Sequence, residues 1–251
     1  MKKLIILLVT ISLFSCKNEN EQSNDTSNRL KDSTEIKFSE TAKVLKVDTL
    51  KLEKLAALKT VDKVVITTLK KEISKDSIGT AFFRLDFYNK NIIVKSFSTS
   101  IVYGAEDGEW YSTDNVFDDI KNTDYRFVEI SYGYPACGYK HTNFLFFMDN
   151  NNYQLVTKNE SMADGGYGTW TNYEPIFKDN QLISFSSKVV QVDSDESKPY
   201  NDDNEDLIIS FYDSIFYEQQ ANKWIGKLKT QKEVVFRKET VKFDDYYNSG
   251  N

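Results

Sequence analysis

The chain has one histidine, His141, and two cysteines, Cys16 and Cys137, in 251 residues. That is too few of the usual ligands for a zinc site, and neither a metal nor another cofactor is expected. It has no excess of positive charge either, with 32 Lys and Arg against 38 Asp and Glu. Such a balance argues against nucleic acid or an anionic lipid surface as partner, because both are recognised through basic patches. Long apolar runs are also missing. The longest, Leu4 to Phe14 with only Thr10 and Ser12 as polar interruptions, would rise about 16 Å as a helix against a hydrocarbon core of about 30 Å. It is too short for a permanent transmembrane helix. There is no crisp internal repeat, and a phosphate loop is excluded by spacing. Gly165, Gly166 and Gly168 fit neither the dinucleotide nor the nucleotide-loop pattern, and no lysine follows them at the required position.

The N-terminus carries a strong signal. Lys2 and Lys3, the short apolar run and Leu13-Phe14-Ser15-Cys16 have the layout of a secretory signal. The ending resembles the lipobox of bacterial lipoproteins, in which an aliphatic residue, a small residue before the cut and a cysteine after it are recognised together. Leu13, Ser15 and Cys16 match, and Phe14 is bulkier than is usual at its position. The resemblance implies that residues 1–15 are removed and that Cys16 receives a diacylglyceryl thioether and, usually, an acylated (palmitate-type) amino terminus. Each buried methylene contributes about 0.8 kcal/mol, so two or three chains make the attachment stable. The membrane is then a partner through the lipid anchor. Cleavage removes two lysines and no acid, leaving 30 basic and 38 acidic side chains and a charge of about −8. With Cys16 lipidated, Cys137 has no partner in the chain, so the fold is not a disulfide scaffold.

Residues 16–37 follow as the lipidated cysteine and a tether. Lys17 to Lys37 is rich in Asn, Ser, Asp and Glu and cannot bury enough surface to offset chain entropy, so it is expected to be disordered. Its root-mean-square reach is about 25 Å. Lys17-Asn18-Glu19-Asn20-Glu21 loosely resembles the export signals of surface lipoproteins in the Bacteroidota, which leaves the periplasmic and the surface face of the outer membrane both open. Asp32-Ser33-Thr34, Asp48-Thr49-Leu50, Asp76-Ser77-Ile78 and Asp213-Ser214-Ile215 resemble the O-glycosylation acceptors of the same group.

Residues 38–247 read as one β-rich domain. The pattern predicts a strand near Val44 to Val47 and a short helix beginning near Thr49 and carrying Leu52, Leu55 and Ala56. Strands follow at Val61 to Leu69, around Phe83 to Phe87 and from Ile92 to Tyr103, the last two joined by an Asn89-Lys90-Asn91 turn. Asp114 to Ile120 is expected to form one or two helical turns. Further strands are expected at Arg126 to Tyr132, Asn143 to Met148, Tyr153 to Thr157, Gln181 to Val192, Leu207 to Tyr212, Ser214 to Gln219 and Glu233 to Arg237. Ser131 to His141 and Ser161 to Gly168 are expected as loops. Short strands separated by turn signals imply an antiparallel all-β fold, a sandwich or barrel, with a propeller-like arrangement as the runner-up and at most one or two short helices.

The candidate chemistry is sparse. Cys137 and His141 lie four residues apart, and a thiolate activated by imidazole would make a hydrolase or thiol enzyme of unrecognised family. No third orienting group or family signature accompanies them, and a structural cysteine beside an incidental histidine accounts for the pair. The preferred reading is a non-enzymatic, membrane-anchored domain of binding or structural type. It would bind a glycan or protein through Tyr132, Tyr134, Tyr139, Tyr167, Trp170 and Tyr173, provided these form one exposed patch. The acidic stretches Asp193 to Glu196 and Asn201 to Asp206 are oxygen-rich enough to suit weak calcium binding but lack an EF-hand glycine and glutamate in register, so a solvated hairpin is the simpler reading.

Overall fold

The computed structural model describes residues 44–75, 78–103, 108–117, 124–136, 138–150, 152–164, 167–195, 197 and 206–248. The signal segment, Cys16, the tether, Cys137 and most of the acidic stretch at 196–205 lie outside them. The order of elements is β1 (Lys46–Lys51), α1 (Glu53–Ala57), β2 (Lys63–Ile73), β3 (Gly79–Asn89), β4 (Ile92–Tyr103), β5 (Glu109–Thr113), β6 (Phe127–Ala136), β7 (Gly138–Asp149), β8 (Asn152–Asp164), β9 (Tyr167–Lys178), β10 (Gln181–Ser194), β11 (Asp206–Gln220), β12 (Lys223–Leu228), β13 (Arg237–Lys242) and α2 (Phe243–Asn248). Every pairing among them is antiparallel. The fold is an antiparallel all-β sandwich with two short helices, not a closed barrel.

Strands β1-β2-β3-β4 form one sheet, and β12-β11-β10-β9-β8-β7-β6-β5 the other, with β13 beside the first part of β11. The second sheet folds over on itself. β8 and β9 pair only at Met162↔Thr169, Ala163↔Gly168 and Asp164↔Tyr167 before they separate. Gly168 permits this close approach, since a Cβ there would lie 2.1 Å from the Met162 carbonyl oxygen. Strands β5 to β8 thereby become a middle layer with a neighbour on each face.

On one face Val128, Ile130, Tyr132, Phe144, Phe146 and Met148 pack against Ile66, Phe83, Leu85 and Phe87 of the first sheet. On the other, Phe127, Leu145 and Phe147 pack against Leu182, Phe185, Tyr217 and Trp224 of the overlying strands. Burial on both sides is why Phe144-Leu145-Phe146-Phe147-Met148 is an unbroken apolar run instead of an alternating one. Along the far edge, β12 approaches β8 through side chains. Gln154 donates from Nε2 to the Trp224 carbonyl at 2.7 Å and accepts the Trp224 N–H at 2.8 Å, so its amide takes the place of a neighbouring strand. Val190, Val192, Leu207, Ile209 and Phe211 form a third cluster, covered by Val241, Phe243 and Tyr246.

Several boundaries differ from expectation. Thr49 lies in β1, opposite Val65, so the helix starts at Glu53. Pairing with β2 prevails over the cap signal. The turn after β3 is as expected, with Lys90 and Asn91 both in the left-handed region at φ 53° and 86°. Residues 114–117 are not helical, and Phe117 is wholly buried; the rest of that expected helix, 118–120, lies outside the described residues. Ser131 to Ala136, Gly138 to His141, Ser161 to Asp164 and Tyr167 to Gly168 are the ends of long strand pairs rather than loops, and residues 137, 165 and 166 lie outside the described residues. The two strands expected over 207–219 are the single strand β11, bent at Asp213, whose φ is 46°. Residues 233–236 precede β13 instead of forming a strand, and β5, β9, β12 and α2 had no sequence-level counterpart. Among the described residues no helix is long and apolar enough to cross a membrane.

Candidate functional site

The face of β5 to β8 that lies under the folded-over strands changes character along its length. It is aromatic at Phe127 and Phe147, then polar. Register places Thr113, Glu129, Leu145 and Thr157 in one row across the four strands, and Tyr111, Ser131, Asn143 and Asn159 in the next. A third row holds Glu109, Gly133, His141 and Ser161. Directly paired residues share a face, so these rows form one polar strip on the middle layer.

Part of the strip is internally satisfied. Asn143 donates from Nδ2 to Asn159 Oδ1 at 3.0 Å and to Ser161 Oγ at 3.0 Å. Asn159 in turn donates to the Tyr173 hydroxyl at 2.8 Å, linking β8 to β9 beyond the point where their backbone ladder ends. The Tyr111 hydroxyl is hydrogen-bonded to Nδ1 of His141, and the two rings meet edge to face at 5.6 Å. Burial lowers the His141 pKa, favouring the neutral imidazole.

The rest is not satisfied. Glu129 is half-buried, has neither a hydrogen bond nor a cation among the described residues, and its partial burial pushes its carboxyl up to about 7. Two positions along β6, Ser131 is 1% exposed, and its Oγ lies beside the Tyr111 hydroxyl without reaching hydrogen-bond geometry. Opposite them, the Tyr217 hydroxyl lies beside Thr157 and Ser187 but reaches hydrogen-bond geometry with neither, and Thr171 Oγ1 is likewise buried and unpartnered. Buried polar atoms are normally paired, and each orphan costs about 1–3 kcal/mol. Glu129 is close enough for its charge to help raise the hydroxyl pKa of Tyr111 on one side and of Tyr173 on the other, after burial in both cases. The strip is open at its Tyr111 end, where that ring is 36% exposed. At the other end it abuts an aromatic wall in which Phe185 stacks on Tyr217 at 4.5 Å and contacts Phe117 at 5.3 Å.

The six candidate aromatics are not one exposed patch. Tyr132 and Tyr134 are 3% and 9% exposed in the core between the two sheets, where Tyr132 accepts the Gly108 N–H at its hydroxyl. The strand alternation that turns Ser131 and Gly133 to one side turns these tyrosines to the other. Tyr167 and Trp170 pack on the third cluster. Tyr139 is exposed beside His141, and Tyr173 joins the polar strip. His141 also lies there, but Cys137, its suggested partner, is outside the described residues. Among the described residues no group of three or more His, Cys, Asp and Glu is arranged to hold a metal ion.

Glu129, Ser131, Asn143 and Tyr111 carried no sequence motif. The available signal was a strand, Phe127-Val128-Glu129-Ile130-Ser131-Tyr132-Gly133, whose alternation reads as an ordinary solvent face. Compared with protein-family models, curated proteins and solved structures, the chain matches none.

Proposed function

We propose that the protein is a lipid-anchored binding module of the bacterial outer membrane, non-enzymatic, holding a small polar ligand in the strip around Glu129. The observation that carries the binding half is Glu129 itself. A half-buried carboxyl without a partner lowers stability, and groups kept at such a cost concentrate at functional sites. Ser131, Thr171 and Tyr217 add hydrogen-bonding capacity that the folded chain leaves unused. A ligand that brought a donor or positive charge to the Glu129 carboxyl would offset its desolvation in the bound state.

The anchoring half is supported by Lys2, Lys3, the apolar run and Leu13-Phe14-Ser15-Cys16. The acidic, polar stretch after Cys16 suits a spacer between membrane and domain. Labelling cells with a palmitate analogue tests this half. The wild-type chain takes up label and fractionates with membranes, whereas Cys16→Ser does neither. An unlabelled wild-type chain would contradict anchoring. For the binding half, backbone-amide NMR of Ser131, Asn143 and Tyr173 is followed against a panel of small polar compounds. Saturable shifts confined to the strip are expected, and a panel that never moves these signals contradicts the assignment.

A further inference from the structure

An open strand edge offers unpaired N–H and C=O groups to any other chain, and proteins normally blunt such edges with short strands or with charge. Among the described residues, most edges follow that rule. β1 spans 6 residues and carries Lys46, Asp48 and Lys51, and β5 spans only 5. β12 and β13 span 6 each, with Lys223 and Lys227 on the first and Arg237, Lys238, Glu239 and Lys242 on the second. β4, the other edge of the first sheet, departs from it, with 12 residues and one charged side chain, Lys95.

The Leu52 N–H donates to the Asp62 carbonyl at 3.0 Å. Because bonding direction alternates residue by residue, this assigns the odd-numbered residues from Lys95 to Tyr103 to the ladder with β3. It turns the N–H and C=O groups of Ser96, Ser98, Ser100 and Val102 outwards. Two of these carbonyls are occupied, since Lys158 Nζ donates to that of Ser100 and the Tyr134 hydroxyl to that of Val102, both at 3.3 Å. On the other side a bulge at Val94 ends the regular pairing, because Phe87 faces Lys95 and Tyr88 already faces Ile93. Ser96 and Ser98 remain, their outward backbone groups without a partner strand among the described residues. Phe97 between them is half-buried and meets Phe87 at 5.8 Å and Phe146 at 5.0 Å.

We propose that this stretch of β4 pairs antiparallel with the same stretch of a second copy of the chain, about a two-fold axis through Phe97. Ser96 then exchanges both backbone hydrogen bonds with Ser98 of the second copy, and Ser98 with its Ser96, so the pairing uses the free groups and no others. The two Phe97 rings lie side by side at the axis and extend the aromatic contacts with Phe87 and Phe146. Lys95 falls opposite Thr99, and the two lysines are offset by about 13 Å along the strands, more than the Debye length of about 8 Å. A foreign strand would meet the same backbone groups, but an identical one matches the serine spacing and brings its own Phe97 to the axis. This interface belongs to the first sheet and stands whether or not the strip around Glu129 binds a ligand.

Disulfide trapping in the full chain carrying Cys137→Ala tests the register. Lys95 of one copy and Thr99 of the other form a non-hydrogen-bonded cross-strand pair with Cα atoms about 4.5 Å apart, within disulfide reach. A mixture of Lys95→Cys and Thr99→Cys chains should therefore give at least about tenfold more disulfide-linked dimer than either chain alone. The Cys137→Ala parent, in which Cys16 is the remaining cysteine, sets the background. Adding Ser98→Pro to both chains removes an outward N–H and leaves the ladder with β3 in place, so it should abolish the linked dimer without lowering amide protection in β3. In the unsubstituted chain the Ser96 and Ser98 amides should exchange at least about tenfold faster on dilution of the dimer. A mixture that links no better than its components, or a linked dimer that survives Ser98→Pro, would overturn the pairing. Protection of Ser96 and Ser98 that does not change with concentration would overturn it too, since a segment of the same chain would then hold the edge. So would free exchange at every concentration, which leaves the edge to a different partner.

Discussion

Replacing Glu129 by Gln should make the protein more stable, and increasingly so as pH rises from about 4.5 to about 7. The carboxyl titrates near 7 in the folded state against an ordinary 4.5, because burial disfavours its charged form. Between those values the folded chain binds more protons at this site than the unfolded chain does, so stability falls as pH rises from about 4.5 to about 7 and is constant above. The gap corresponds to about 3 kcal/mol, and solvent reaching the partly open carboxyl brings the figure to about 2 kcal/mol. Gln has nearly the same shape and no charge. The difference in unfolding free energy, Glu129→Gln variant minus wild type, should therefore grow with pH and level off near about +2 kcal/mol at about pH 8. Urea denaturation of both proteins at a series of pH values measures it, with the Trp224 and Trp110 fluorescence as reporters. Taking the difference between the two proteins cancels the titration of every other group, His141 included. A Gln variant that is less stable at pH 8, or a difference that does not change with pH, would refute the reasoning.

Three further substitutions probe the frame around the strip. Trp224→Ala removes a ring that is 2% exposed and contacts Phe127, Phe147 and Phe185, and a loss of about 3–5 kcal/mol in unfolding free energy is expected by calorimetry or denaturant melts. Gly168→Ala places a methyl group 2.1 Å from the Met162 carbonyl oxygen, so a loss of more than about 2 kcal/mol is expected, with early loss of amide protection in β8 and β9 by hydrogen exchange. Asn143→Leu leaves Asn159 Oδ1 and Ser161 Oγ without their donor; it should cost about 1–3 kcal/mol and disturb the Tyr173 environment in NMR spectra.

The all-β class and most strands were legible because alternation and turn residues are local signals. The Asn89-Lys90-Asn91 turn is one case, and the apolar run Phe144 to Met148 is another. The folding-over of the second sheet was not legible, because it depends on how far β8 and β9 stay paired before they separate. That one feature turns a wetted face into one where Ser131 and Asn143 are buried and Glu129 is half-buried. The aromatic cluster misled for a different reason. Tyr132 and Tyr134 sit in a segment with turn-like glycine and proline, yet backbone pairing of β6 with β7 continues to Ala136↔Gly138 and carries both rings into the core. The short strands β5 and β12 were invisible for a similar reason. Their partners supply what the sequence does not, through Trp110 beside Tyr132 and Trp224 beside Gln154.

The most direct measurement is the titration of the Glu129 side-chain carboxyl itself, followed by carbon NMR on protein labelled at glutamate and assigned with the Gln variant. The free protein should give a midpoint of about 7, and a saturating ligand held at the strip should shift it, since a group placed beside the carboxyl changes the balance between its charged and neutral forms. A midpoint near 4.5 that no ligand moves would mean that Glu129 is an ordinary solvated carboxylate and that the strip is not a binding site.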